Sequence, residues 1–284
     1  MKTKSLYTGI FSILLGISFT GCNEEDSSTF TRENGFVTPL LEIKSSLIHT
    51  YMIYDELLRH PQFGTSDTVA IYTNIFGVGS GDTVQLLFGK EGTGSLDTDG
   101  LLRAGRVRVI RDGDYTQSGS TTRFEYVNFR VERRALTGAF ELENLGVNSI
   151  SQTMFRVSID SLTGRSDLSV IYSQTGTLTW LQDFNLSTPK GGRKWHWEDD
   201  LMTYYNASNN ATCDVEFMGA DGILYDEACD FKLEEGLIKI ESDREISGST
   251  YFEVDMIAES TCTNVIRISA DAKSGFFFIS KTGF

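Results

Sequence analysis

Histidine, proline and cysteine are scarce in these 284 residues, which hold three His, three Pro and four Cys. With only His49, His60 and His196 on offer, a Ser–His–Asp or Cys–His device has few bases to draw on. No Gly-x-Ser-x-Gly motif supplies a hydrolase nucleophile. Cys-x-x-Cys and His-x-x-x-His are missing too, and with them the tight spacings of a zinc site; neither metal nor cofactor is expected. Basic residues are in deficit, 25 against 39 acidic, for a net charge of −14. Phosphates would be repelled from such a surface, so nucleic acid and anionic lipid are not expected partners. With 3 prolines and 27 glycines, turns must be made mainly by glycine, as in antiparallel β proteins. The apolar stretch from Leu6 to Phe19 is short of the roughly 20 residues that a spanning helix needs.

That stretch does fit an export signal. Lys2 and Lys4 give a positive start, Ile10 to Leu15 with Ile17 and Phe19 an apolar middle, and Thr20–Gly21 the slim side chains a signal peptidase requires. Phe19–Thr20–Gly21–Cys22 resembles the lipobox of bacterial lipoproteins, with Phe19 where Leu is usual. The resemblance implies acylation of Cys22 and anchoring in a lipid bilayer by several chains. Glu24, Glu25 and Asp26 resemble the export tag that carries Bacteroidota lipoproteins to the cell surface; as plain chemistry they begin a solvated tether. The expectation is an outer-membrane protein, lipid-anchored and facing outward. Removal of residues 1–21 leaves 284 − 21 = 263 residues, and loss of Lys2 and Lys4 takes the charge to −16.

Residues 22–37 read as that tether. Thr38–Pro39 then marks a helix start. Ile43, Leu47, Ile48, Tyr51, Met52, Tyr54, Leu57 and Leu58 recur at three- and four-residue steps, predicting one amphipathic helix that ends at Arg59, before His60–Pro61. His49 and His60 read there as plain polar residues. From Thr68 the period becomes two. Short runs rich in Val, Ile, Phe and Tyr, such as Thr68–Phe76, Thr83–Phe88, Arg123–Val131, Thr177–Phe184 and Lys194–Trp197, continue to Ile279. The chain is all-β, an antiparallel β-sandwich or an extended β-meander, with a single N-terminal helix. Helix and first β unit are expected over 38–165 and a second β unit over 166–284.

The two units echo each other. Val84 to Gly89, Gly105 to Val109, Gly119 and Phe124 find counterparts in Val215 to Gly219, Gly236 to Ile240, Gly248 and Phe252. Of the three cysteines beyond Cys22, one pair and one spare thiol are expected in an oxidising compartment, with Cys229–Cys262 the favoured pair and Cys213 left over.

Residues 83–146 resemble a group of Bacteroidota lipoproteins in Phe88–Gly89, Asp99–Gly100, Arg103, Gly105, Gly113–Asp114–Tyr115, Gly119–Ser120, Asn128–Phe129, Gly138 and Asn144–Leu145–Gly146. Trp195 and the interval from Cys229 to Cys262 resemble the same group, although Thr261–Cys262–Thr263–Asn264 stands where that group tends to carry a Gly–Cys–Asp–Asn-like turn. The resemblance implies an envelope β protein and no particular activity.

Candidate sites are few. Trp195 and Trp197 share one face of a strand with His196 on the other. They serve either as core bulk or as a glycan contact beside Asp199–Asp200. Asp97–Thr98–Asp99–Gly100 opens like a calcium loop, but Leu101 and Arg108 occupy the positions where an EF-hand needs oxygen ligands, which leaves a plain turn. Glu125, Glu141, Glu198, Asp199 and Asp200 are the carboxylates a glycosidase would draw on. Asp67–Thr68–Val69, Asp82–Thr83–Val84 and Asp160–Ser161–Leu162 resemble the O-glycosylation sequon of Bacteroidota envelope proteins.

The function expected is that of a non-enzymatic binding or structural accessory, with another envelope protein or a polysaccharide as partner. The alternative is a surface glycan-active enzyme using paired carboxylates. It requires two acidic side chains roughly 5–10 Å apart beside an exposed Trp, whereas a packed face around Trp195 and Trp197 fits the accessory.

Overall fold

The computed structural model describes residues 37–79, 81–89, 94–97, 100–132, 134–165, 169–181, 193–207, 210–218, 223–226, 233–246, 248–256, 265–270 and 273–278. Helix α1 (Val37–Arg59) comes first. Then follow β1 (Thr68–Tyr72), β2 (Ile75–Val78), β3 (Thr83–Phe88), β4 (Ser95–Leu96), β5 (Leu102–Asp112), β6 (Thr121–Val131), β7 (Arg134–Val147) and β8 (Thr153–Arg165). The second half adds β9 (Ser169–Trp180), β10 (Lys194–Asn206), β11 (Ala211–Met218), β12 (Ile223–Asp226), β13 (Leu233–Ile246), β14 (Ser249–Met256), β15 (Val265–Ala270) and β16 (Lys273–Phe278).

All 16 strands belong to one antiparallel sheet, a meander in which nearly every strand pairs with its sequence neighbour. It runs open from β1 to β16, not closed into a barrel, with β4 beside β5 and β12 bridging β10 and β13. The boundary expected near 165 falls between β8 and β9, which are paired from Met154↔Thr179 to Arg165↔Ser169. Across it runs one continuous core.

The echo in the sequence is a repeat of register. Val84↔Val109 and Leu86↔Val107, which join β3 to β5, recur 131 positions later as Val215↔Ile240 and Phe217↔Ile238, which join β11 to β13. Val109↔Phe124 is likewise matched by Ile240↔Phe252. In each half a short strand, β4 or β12, lies between the first two members in sequence and pairs with the second.

Helix α1 departs from its predicted amphipathic character. It begins at Val37 and ends at Arg59, where the His60 amide bonds the Leu57 carbonyl at 3.1 Å. It has no solvent face over most of its length, because Lys44, Ser46, His49, Thr50 and Asp55 are as buried as Leu40, Leu47 and Tyr51. The sheet curls round it. Leu57 rests on the bare backbone of Gly77 in β2, the Thr50 hydroxyl meets that of Tyr126 in β6 at 3.2 Å, and Tyr51 packs on Phe155 of β8. The Lys44 ammonium lies 4.2 Å from the ring of Trp197 in β10 and 4.0 Å from that of Phe217 in β11.

A crease of β-bulges bends the sheet. Register shifts occur at Ala104/Arg106, Tyr126/Phe129, Gly138/Glu141 and Ile159/Leu162, so the irregularities of β5 to β8 stand side by side. Bulges raise local twist and bend, which a flat sheet needs in order to wrap a helix. Gly105, at φ +98°, is forced to be glycine, since a β-carbon would stand 2.1 Å from the Asn128 carbonyl oxygen. Gly138, at φ +116°, faces the Ser161 carbonyl in the same way, at 2.5 Å.

Candidate functional site

The tryptophans read from the sequence as either core bulk or a glycan contact are core residues. Trp195 and Trp197 are 0% and 2% exposed, and His196 between them is half-buried, so the alternation holds with the indoles facing inward. Of the two readings the core one holds: the curl of the sheet puts their face against α1. Trp195 lies opposite Trp180 of β9, ring centroids 4.8 Å apart. Both indoles meet Tyr51 edge-on, and the Trp180 Nε1–H donates to the Tyr51 hydroxyl at 2.6 Å. Burial, and next the Asp55 charge, push the Tyr51 hydroxyl well above its ordinary range.

Beneath this aromatic group lies an ion-pair network that no local motif announces. The Asp55 carboxylate, fully buried, accepts from Arg59 Nε at 2.6 Å and Nη2 at 3.1 Å, and from Arg193 Nη1 at 2.5 Å. Arg193 also donates to Glu56. Burial raises the Asp55 carboxyl above the usual carboxylate range, and the two guanidiniums oppose that rise. A second buried group pairs Asp97 with Arg103 at 2.9 Å and with His49 Nδ1 at 3.3 Å. Asp97, considered above for calcium, is thus engaged by a cation, in a turn closed by the Gly100 amide on the Asp97 carbonyl at 3.0 Å. Among the described residues, no group of three or more His, Cys, Asp or Glu side chains is placed to hold a metal ion.

Of the candidate carboxylates, Glu125 sits on the outer face of β6 between Arg108 and Arg123, the latter at 3.1 Å. The Arg108 hydrogen bond leads in holding its carboxyl below the usual range. Glu141 is across the ladder from Arg123, and Glu198 is in the first half of β10. Asp199 and Asp200 belong to β10, but their side chains lie outside the described residues. So do Cys22, the Glu24–Asp26 run, and both Cys229 and Cys262. Cys213 is a free thiol buried in β11, and burial pushes it up to about 11. Thr68, Thr83 and Ser161, the hydroxyl residues of the three sequons, are all exposed.

A cleft of about 430 Å³ opens at the C-terminal end of α1. Leu58 of the helix, Phe63 of the turn after it, and Tyr115 form its apolar side. Asp82 from the β2–β3 turn, Arg111 at the end of β5, and Asp114 and Thr116 from the β5–β6 loop form its polar side. The walls are braced. Arg111 Nη2 bonds the Gly81 carbonyl at 2.6 Å, and its guanidinium carbon lies 5.8 Å from the Phe63 ring centroid. The Asp114 carboxylate accepts from the Thr116 amide and hydroxyl, both at 2.9 Å, and the amide bond leads in lowering its carboxyl below the usual range. Tyr115 is pinned twice: the Asn144 side-chain amide bonds its carbonyl at 3.0 Å, and its hydroxyl donates to that of Tyr51 at 2.6 Å. Behind the wall, burial raises the Tyr54 hydroxyl above its ordinary range, and its neighbours Arg111 and Thr122 oppose that rise.

Of the motif residues, Asp114 and Tyr115 line this cleft, and Asn144 holds the Tyr115 carbonyl. Phe63 and Arg111 carried no signal, since an isolated Phe after a helix and an Arg at a strand end are commonplace. Comparison with protein-family models, with curated proteins and with solved structures finds no match.

Proposed function

We propose that this protein is a lipid-anchored β protein of the outer membrane, displayed at the cell surface, that acts as a non-enzymatic binding or structural accessory of the envelope. Its partners in this reading are the bilayer, through acylated Cys22, and an envelope protein or polysaccharide. The packed face around Trp195 and Trp197 carries the reading, because the glycan-active alternative calls for a Trp exposed beside paired acids.

The test is in-cell crosslinking of the tagged, acylated protein beside its Cys22→Ser variant. Membrane retention and lipid labelling of the parent alone, with one specific envelope component captured, is the expected result. A Cys22→Ser variant still held in the membrane, or a parent that captures nothing and instead cleaves surface polysaccharide, refutes it.

A further inference from the structure

We infer that the cleft at the C-terminal end of α1 binds a neutral sugar residue, the exposed end or a branch of a surface glycan. This rests on the binding-accessory reading and adds a ligand class to it. A phosphate or carboxylate ligand would meet two carboxylates, Asp82 and Asp114, for the single guanidinium of Arg111, on a chain of net charge −14. A cationic ligand would meet Arg111 already seated against the Phe63 ring. What suits both signs at once is a neutral polyol. Its hydroxyls donate to Asp82 and Asp114 and accept from Arg111, while its C–H face lies on Leu58 and Phe63.

Two further observations favour this ligand. The polar groups are fixed in advance by bonds to Gly81, Thr116 and Asn144, so little ordering is paid on binding. At about 430 Å³ the space is near the lower end of ligand-pocket sizes, roughly 300–1,000 Å³, which favours a terminal residue over a long chain.

The experiment is saturation-transfer NMR and titration calorimetry on the full mature chain in detergent. The probes are the methyl glycosides of glucose, galactose, mannose, fucose and N-acetylglucosamine, with inorganic phosphate and choline as charged controls. At least one glycoside is expected to saturate and the controls to fail. Asp82→Ala and Phe63→Ala should each weaken the bound glycoside at least tenfold. The Asp82 side chain is exposed, so its variant keeps the fold, which unchanged tryptophan fluorescence verifies. Failure of every glycoside, equal affinity in both variants, or binding of phosphate or choline instead overturns the inference. If the glycosides fail while crosslinking still captures an envelope protein, the accessory reading stands and only the sugar falls.

Discussion

Replacing Arg193 by methionine tests whether the ion-pair network at the end of α1 is as buried as its geometry indicates. The Asp55 carboxylate is fully enclosed, and Arg193 donates to it at 2.5 Å from 138 positions away in the chain. Removing one partner of a buried pair costs about 3–5 kcal/mol, because the other charge is left without compensation. Here Arg59 still holds Asp55 through two bonds, and Glu56 can turn to solvent, so the lower end, about 3 kcal/mol, is expected. Asp55→Asn combined with Arg193→Met should recover at least about 1 kcal/mol relative to the sum of the single changes, as coupled neighbours do. Burial has already raised the Asp55 carboxyl, and losing Arg193 raises it further. A raised carboxyl favours the fold while protonated and loses that contribution as pH climbs through its folded value. The penalty of Arg193→Met should therefore shrink as pH is lowered towards 4. Urea unfolding followed by tryptophan fluorescence measures all of this, since Trp180, Trp195 and Trp197 are buried and Arg193 stands 6.0 Å from the Trp195 ring centroid. A loss under about 1 kcal/mol, or strictly additive single and double variants, would refute the buried-pair reasoning.

Two other outcomes follow from the packing. Gly105→Ala forces a β-carbon to 2.1 Å from a carbonyl in the crease and should destabilise by about 4 kcal/mol or more, with Arg106→Ala on the same strand nearly neutral; equal midpoints in urea would show that the crease yields. Burial raises the hydroxyls of Tyr51, Tyr54, Tyr115 and Tyr126 above their ordinary 10, so the stability tied to their neutral forms is complete below pH 10 and lost as pH rises beyond it. In an alkaline titration these four should ionise only together with loss of circular dichroism; all 11 tyrosines ionising near pH 10 in an intact fold would contradict their burial.

The architecture was largely legible because strand periodicity is local. Phe124 and Tyr126 about Glu125, or Trp195 and Trp197 about His196, alternate with polar neighbours whatever they pack against. Among the strands, local signals misled where the backbone departs from regularity. The run Thr68–Phe76 is two strands, because Asn74 at φ 63° turns the chain between β1 and β2. Lys194–Trp197 is the start of a strand that continues to Asn206, past acidic residues and a bulge at Asp199/Leu201 that mask its period.

By itself the sequence determined the class of the fold, the position of the described helix, the alternation of its strands and the repeated glycines. Tertiary structure alone decided what surrounds the helix. Lys44, His49 and Asp55 read as a solvated face until the creased sheet folds over them and supplies rings and counter-charges. The same curl turned Trp195 and Trp197 from a candidate surface into core, and brought Phe63, Asp82, Arg111 and Asp114 to one rim. Periodicity records which side of an element is apolar. Whether the other side meets water depends on contacts as distant as the 129 positions between Tyr51 and Trp180, and no local pattern encodes those.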